Sequence, residues 1–531
     1  MHNQFAKPYR KLITCLTIVL FGVVSPALAE DNPLEATFEG QVSFSNSKTP
    51  LWLNANKYGL STLTPKNAYA RANILYSKDS LWNHFDINIG TDIVLPFHYY
   101  YKGYEKDYIS KLIIQQVYGE VTWKKITVFA GMKQFPAQLR NNLLSSGAQT
   151  LGINSRPIPQ LRLYRDTWWE IPGLRNWLGF KGHICFGLTT DADWQETFTS
   201  GTKLPYNRWL RHHEKAVYLR IGKPKKLPLT AIIGLEMAAQ FGGTLYNYKG
   251  TDQNGYRSFH YISLGNGWEN YWNALTCGGG GADESKYVNA EGNHLGSWVA
   301  RLEWDSKKYT IGAYLDHFFE DHSGLFFLDY DGYGSGDNWN VKEDIKYLRY
   351  PMRDFQLGLD LKLKEFTPIH GVTLEYMTTM YQSGPIYHDH NETTSDHIGG
   401  IDEFYNNSNT RGWQHWGQAI GNPLYRSPMY NTDGNITFKS NRFFAWHFGA
   451  NGSILRNLDY RVLYTWQKSY GTYLNVFAYP LENTSILAEL TYRLPDIMQF
   501  HSPMIRLAYG ADMGKLLGDN SGFQFTVQYK Y

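Results

Sequence analysis

The chain ends on GFQFTVQYKY, residues 522–531. Phe523, Phe525, Val527, Tyr529 and Tyr531 alternate with Gln524, Thr526, Gln528 and Lys530. A period of two marks a β-strand with one apolar and one polar face. Two architectures produce that pattern. One is the half-buried edge strand of a soluble antiparallel sheet. The other is a strand of a transmembrane β-barrel, with lipid outside and a polar lumen inside. The rest of the chain decides between them.

Composition leans to the barrel. The 531 residues include 40 Tyr and 17 Trp, and aromatics reach 16%. Yet mean hydropathy is only −0.44. Aromatic girdles around a polar interior give this combination, whereas a helical membrane protein would be far more apolar. A net charge of +3 supplies no basic footprint for nucleic acid. Three cysteines are too few for a disulfide framework.

The first residues read as an export signal. Lys7, Arg10 and Lys11 precede the apolar run LITCLTIVLFGVV, followed by Ser25-Pro26-Ala27-Leu28-Ala29. Charged region, apolar core and small-residue cleavage site describe a Sec signal peptide over residues 1–29, with a mature barrel over 30–531. Cys15 lies inside the segment to be removed. No other apolar run is long enough for a membrane helix, so membrane insertion requires a closed barrel.

Alternation recurs along the chain, as in Phe355 to Leu363, Phe444 to Phe448 and Tyr460 to Trp466. Strands are expected to begin near 36, 68, 84, 112, 126, 159, 180, 213, 228, 296, 307, 354, 371, 441, 460, 484, 503 and 522. The fold class is therefore all-β, a single antiparallel transmembrane barrel of about 18 strands. Short links such as 364–370 alternate with long ones, roughly 189–212, 242–295, 318–353 and 382–440. Barrels sort their connections this way, into short periplasmic turns and long extracellular loops. An even count puts both chain ends on the periplasmic side. The last strand then closes against the first, with Phe523, Phe525 and Val527 toward lipid. Its aromatic end resembles the signal read by the barrel-assembly machinery of Gram-negative bacteria.

Inward positions carry charge, among them Glu120, Asp316, Asp360, Glu375, Arg461, Glu489 and Arg506. Salt-bridge filling of the interior and a charged path for a ligand both fit. Residues 145–166 hold Arg156, Arg162 and Arg165, with Arg140 upstream. Such guanidinium groups can fork onto the carboxylates of an acidic glycan, or pair with interior acids. The long loops hold Trp268, Trp272, Trp339, Trp413 and Trp416. Flat rings beside polar donors suit the apolar face of a sugar; they also serve to pack loops. His388-Asp389-His390 with His397 is a weak metal candidate. No nucleophile elbow, H-E-x-x-H, Walker loop or dinucleotide fingerprint is present in the sequence.

SSGAQTLGINSRPIPQLRL (145–163), WLGFKGHICFGLTTD (177–191), HEKAVYLRIG (213–222) and PLWLNANKYGLS (50–61) together resemble the Wzi family of capsule assembly proteins. The resemblance implies an outer-membrane barrel of eighteen strands. It also implies lectin-like binding that anchors or organises capsular or extracellular polysaccharide, with no enzymatic step and no cofactor. Founding members carry a helical bundle at the periplasmic end, for which residues 31–67 leave little room. Outer-membrane lipid is the other implied partner. A passive diffusion channel for sugars or ions is the alternative that the polar interior leaves open.

Overall fold

The computed structural model describes residues 33–531 except 82–83, 98–110, 175, 224–225, 254–256, 280, 284–285, 289–291, 321–328, 331, 344, 347–352, 367, 388–389, 394–397 and 497–499. The signal-peptide segment and most of the His388–His397 candidate lie outside the described residues. Among the described residues, eighteen strands form one closed antiparallel sheet. They are β1 Leu34–Ser45, β2 Lys66–Leu81, β3 Phe85–Phe97, β4 Ile113–Trp123, β5 Ile126–Met132 and β6 Gln160–Glu170. Next come β7 Leu178–Leu188, β8 Arg211–Ile221, β9 Leu229–Phe241, β10 Asn293–Asp305, β11 Tyr309–Glu320 and β12 Phe355–Leu363. The circuit ends with β13 Gly371–Thr378, β14 Phe443–Leu455, β15 Leu458–Gly471, β16 Val476–Arg493, β17 His501–Gly514 and β18 Asn520–Lys530. Each expected strand is present, including β6, whose sequence pattern is the least regular.

Closure occurs where the terminal alternation places it. β18 pairs with β1 from Thr37 opposite Lys530 to Ser45 opposite Gly522. Phe523 points outward and is half exposed, while Gln524 and Thr526 are buried in the lumen. The same phase holds around the wall: Leu357, Leu359, Trp446 and Leu507 face out, and Gln356, His447 and Asp512 face in. With no free edge, every strand satisfies its backbone groups within the wall, as the hydrocarbon layer requires.

Links on the side of the chain ends are short. One of the two tightest, Lys124-Lys125, has φ of 47° and 69° at its two residues. That is the primed-turn geometry that suits strand twist. The opposite side carries the long links, with one departure from the expected alternation. The connections β15–β16 and β17–β18 there are also short, spanning only 472–475 and 515–519.

Three outer-side links fold back into the barrel instead of standing above it. Residues 46–65 include a one-turn helix, α1 (Leu51–Asn54), all four residues of which are buried. Residues 133–159 cross the lumen without regular structure, and residues 402–442 enter beside them. Leu51, Trp52, Leu53, Leu144, Phe404, Tyr405, Trp413, Tyr425 and Phe443 share one apolar cluster with inward wall residues such as Ala445, Leu463 and Leu487. The plug is thus built from outer-side loops, and no helical bundle at the periplasmic end is found among the described residues. Glycines in the wall make room for it. A Cβ on Gly449 would sit 2.3 Å from the carbonyl oxygen of Leu144, and one on Gly510 2.7 Å from the Leu53 side chain.

Placing a charge on the outward face tests this orientation. Leu359 lies mid-strand and is 52% exposed. Leu359→Arg is expected to cost about 2–4 kcal/mol if the residue meets hydrocarbon. The folded fraction of this variant on cold gel electrophoresis after bilayer insertion should drop clearly below that of the unsubstituted barrel.

Candidate functional site

Irregular backbone inside a barrel needs partners for its N–H groups, because no ladder supplies them. The wall supplies carboxylates. Asp512 of β17 accepts from Leu51 N at 3.0 Å. Glu375 of β13 accepts from Ser146 N at 2.7 Å, and Asp316 of β11 from Gln149 N at 3.1 Å. Glu320 at the end of β11 accepts from Tyr405 N at 2.7 Å. Four inward acids on three strands thereby hold all three plug segments. His447 adds a fifth tie, with Nε2 2.8 Å from the Leu144 carbonyl oxygen.

The arginines divide by role. Arg140 is buried and donates from Nη2 to Asp316 at 2.7 Å. Its other amino group donates to Gly147 O at 2.7 Å and Gln356 Oε1 at 3.0 Å. Burial, the largest single influence, would lower its pKa, but Asp316 together with Tyr314, Glu375 and Glu236 outweighs it, and the net direction is upward. Arg162 pairs with Glu214 at 3.1 Å and stacks over Phe135 at 4.1 Å. Arg165 donates to the carbonyls of Thr167 and Lys124. Arg156 differs in kind: its guanidinium lies 4.3 Å over the ring of Trp416. Arg156 and Arg162 also line one small cavity of about 80 Å³, with Lys133, His183, Glu214 and Glu236.

The loop tryptophans do not form one surface. Trp413 is fully buried; its indole N–H donates to Thr150 O at 3.3 Å and its ring stacks on His212. It belongs to the plug, and no face is open to a sugar in this conformation. Trp416 is half-buried at the outer mouth, donating to Thr190 Oγ1 at 3.2 Å, with its backbone N–H on Asp191 Oδ2. Beside it, burial holds the His415 imidazole below its ordinary pKa, against the pull of Asp191. Trp339 is half-buried in another outer loop and packs on His390, which stacks on Tyr333 at 3.6 Å. Trp268 and Trp272 lie on a further helix and are 83% and 55% exposed. Of the residues singled out in the sequence, the structure joins Arg156 to Trp416 and to Arg162, Arg162 to Arg165 along a second small cavity, and Trp268 to Trp272 on one helix.

Sequence reasoning also overlooked a polar chamber. A cavity of about 390 Å³ is lined by Lys57, Arg71, Arg461, Arg506, Glu39 and Glu489. Arg461, Glu489 and Arg506 lie toward the ends of β15, β16 and β17 joined by residues 456–457 and 494–500, so the chamber sits on the side of the plug that faces the chain ends. Burial brings the Lys57 ammonium down to about 8; Glu489 and Glu39 oppose this, and Arg461 and Arg506 add to it. Arg461 pairs with Glu489 at 3.0 Å and Arg71 with Glu39 at 3.5 Å, while Lys57 donates to Gln524 Oε1 at 2.7 Å.

The plug ties predict a measurable gate. Asp316→Asn leaves Arg140 as a buried cation without its partner, a cost of about 3–5 kcal/mol. Residues 133–159 should then loosen, and single-channel conductance in planar bilayers should rise above that of the unsubstituted protein.

No family model matches the chain, and no curated protein sequence does. Solved structures do match. Wzi of Escherichia coli, described as an outer-membrane protein involved in group 1 capsule assembly and a carbohydrate-binding β-barrel, is 10% identical with a TM-score of 0.52. The match covers 92% of this chain and 83% of that one. OprD of Pseudomonas aeruginosa matches at 9% identity and a TM-score of 0.44, over 96% of this chain and 97% of that one. OccAB3 of Acinetobacter baumannii matches at 8% identity and a TM-score of 0.45, over 94% and 99%. At such identities the likeness concerns the fold alone, and that fold is an eighteen-stranded barrel of the outer-membrane type.

Proposed function

We propose that this chain, exported by the Sec pathway, binds capsular or other extracellular polysaccharide at the cell surface and holds or organises it there. The observation that carries the reading is the filled outer half of the lumen. A barrel whose outer-side loops pack an apolar core between its walls is suited to presenting a surface and poorly suited to passing solutes. The motif resemblance to capsule assembly proteins supports the same reading, as does the carbohydrate-binding description of the similar Escherichia coli barrel.

Arg156 and Trp416 form the centre of the proposed site. The buried guanidinium of Arg156 backs the half-buried indole of Trp416, which offers a flat ring for a pyranose with a fixed positive charge behind it for an acidic sugar. Trp339 offers a second, separate ring. Arg140, Arg162 and Trp413 act indirectly, by holding the plug that supports the surface. Binding is reversible and makes or breaks no bond.

The diffusion-channel reading has one observation in its favour, the charged chamber of about 390 Å³ below the plug. Conductance separates the two. A large open current from the unsubstituted protein in planar bilayers would favour the channel.

Capsular polysaccharide pull-down with detergent-solubilised protein tests the leading reading. Trp416→Ala and Arg156→Ala should each weaken retention at least several-fold while the barrel still migrates as folded on a cold gel. Unchanged retention in both variants would overturn the assignment.

A further inference from the structure

The helix α2 (Trp268–Thr276), which bears the exposed Trp268 and Trp272, does not lie over the barrel mouth. It lies against the outside of the wall. Along β8, His212 and Glu214 face the lumen, where they meet Trp413 and Arg162. His213, Lys215 and Val217 therefore point outward. The helix packs on that outward side: the Tyr271 ring lies 5.4 Å from Phe186 of β7 and edge-on to Phe241 of β9 at 5.1 Å. Cys277, just past the helix, packs against Met237 of β9.

The register explains why cover is needed there. Lys215 stands opposite Ile184 on one side and Met237 on the other. His213 stands opposite Phe186 and Ala239. At this depth the wall is otherwise apolar, and it continues toward the periplasm as the exposed lipid-facing residues Val217, Leu219 and Ile233. Two polar side chains within that band would meet hydrocarbon at a cost of several kcal/mol. Neither does. His213 is 1% exposed, stacked on Phe186 with Nδ1 2.8 Å from Cys185 O. Lys215 donates from Nζ to the carbonyl of Leu275 in the last helical turn. There the helix has carbonyls without intrahelical partners, and its dipole favours a cation.

At about 100° per residue, α2 has two faces. Tyr271, Ala274, Leu275, Trp268 and Trp272 share one arc, and Glu269, Asn270, Asn273 and Thr276 the other. Tyr271 and Ala274 cover the wall. Trp268 and Trp272 extend the same apolar arc beyond it and are exposed.

We propose that α2 is a membrane-interface helix whose Trp268 and Trp272 insert at the acyl–headgroup boundary of the outer leaflet, while its wall face shields His213 and Lys215 from lipid. Amphipathic indoles favour that boundary, and a helix with one apolar arc lies along it. The occupant is outer-leaflet lipid, so Trp268 and Trp272 leave the set of sugar-binding candidates. This assignment stands whether or not the chain binds polysaccharide.

Spin-label accessibility on the full mature chain in phosphatidylcholine vesicles tests it. Trp268→Cys, Trp272→Cys, Glu269→Cys and Asn273→Cys are labelled one at a time; the unsubstituted chain, with buried Cys185 and Cys277, gives the background. The ratio of oxygen to nickel-chelate accessibility should be several-fold higher at 268 and 272 than at 269 and 273. Equal ratios at all four positions would overturn the proposal. Should the cysteine variants fail to fold, the fluorescence difference between unsubstituted protein and the Trp268→Phe/Trp272→Phe variant is measured in vesicles of brominated lipid. Loss of that difference on bromination supports insertion, and an unaffected difference refutes it.

Discussion

The interaction on which the rest of this structure depends is a hydrogen bond from plug backbone to wall carboxylate. A closed barrel satisfies its own strands completely and leaves nothing for a chain lying inside it. Each N–H of that chain must find an acceptor or lose roughly 1–3 kcal/mol. Asp512, Glu375, Asp316 and Glu320 supply acceptors at Leu51, Ser146, Gln149 and Tyr405. Charge-assisted bonds of this type are about twice as strong as neutral ones. They set where the three inward segments lie, and the apolar side chains of those segments then complete a core that the barrel wall alone could not build.

Two compartments follow from that arrangement. Above, the lumen is filled, and the surface presented to the outside is made of loops resting on a packed support. Below, Arg461, Glu489, Arg506 and Lys57 surround a polar chamber toward the periplasm. Charged inward residues thus serve both descriptions that composition left open. Some fill the interior as ion pairs, as Arg140 does with Asp316, and others bound a space large enough for solvent or a small ligand.

The wall was legible in the sequence because a strand between lipid and lumen must alternate, and nothing else in the chain does so at eighteen places. The link lengths show which ends lie together as far as β14; beyond it the links on both sides are short. The plug was not legible, because inward-folded loops carry no period. Trp413 and Trp416 are three residues apart in one loop; one is enclosed and the other reaches the outer mouth. Aromatic identity alone cannot separate them. A usable signal did exist: from Phe404 to Tyr425 the only charged residue is Arg411, which is too few charges for a loop standing in water. The helix at Trp268 was hidden for a related reason. An interfacial helix and a sugar-binding loop both expose tryptophan, and only the phase of β8 shows which side of the wall the helix covers.

Amide hydrogen exchange of the folded protein in lipid measures the plug directly. Peptides covering residues 51–65, 140–159 and 402–430 should exchange as slowly as the strands that flank them, by several orders of magnitude below an unstructured loop. Exchange of those peptides within seconds, with the strands still protected, would show that the lumen is not filled and would contradict this account.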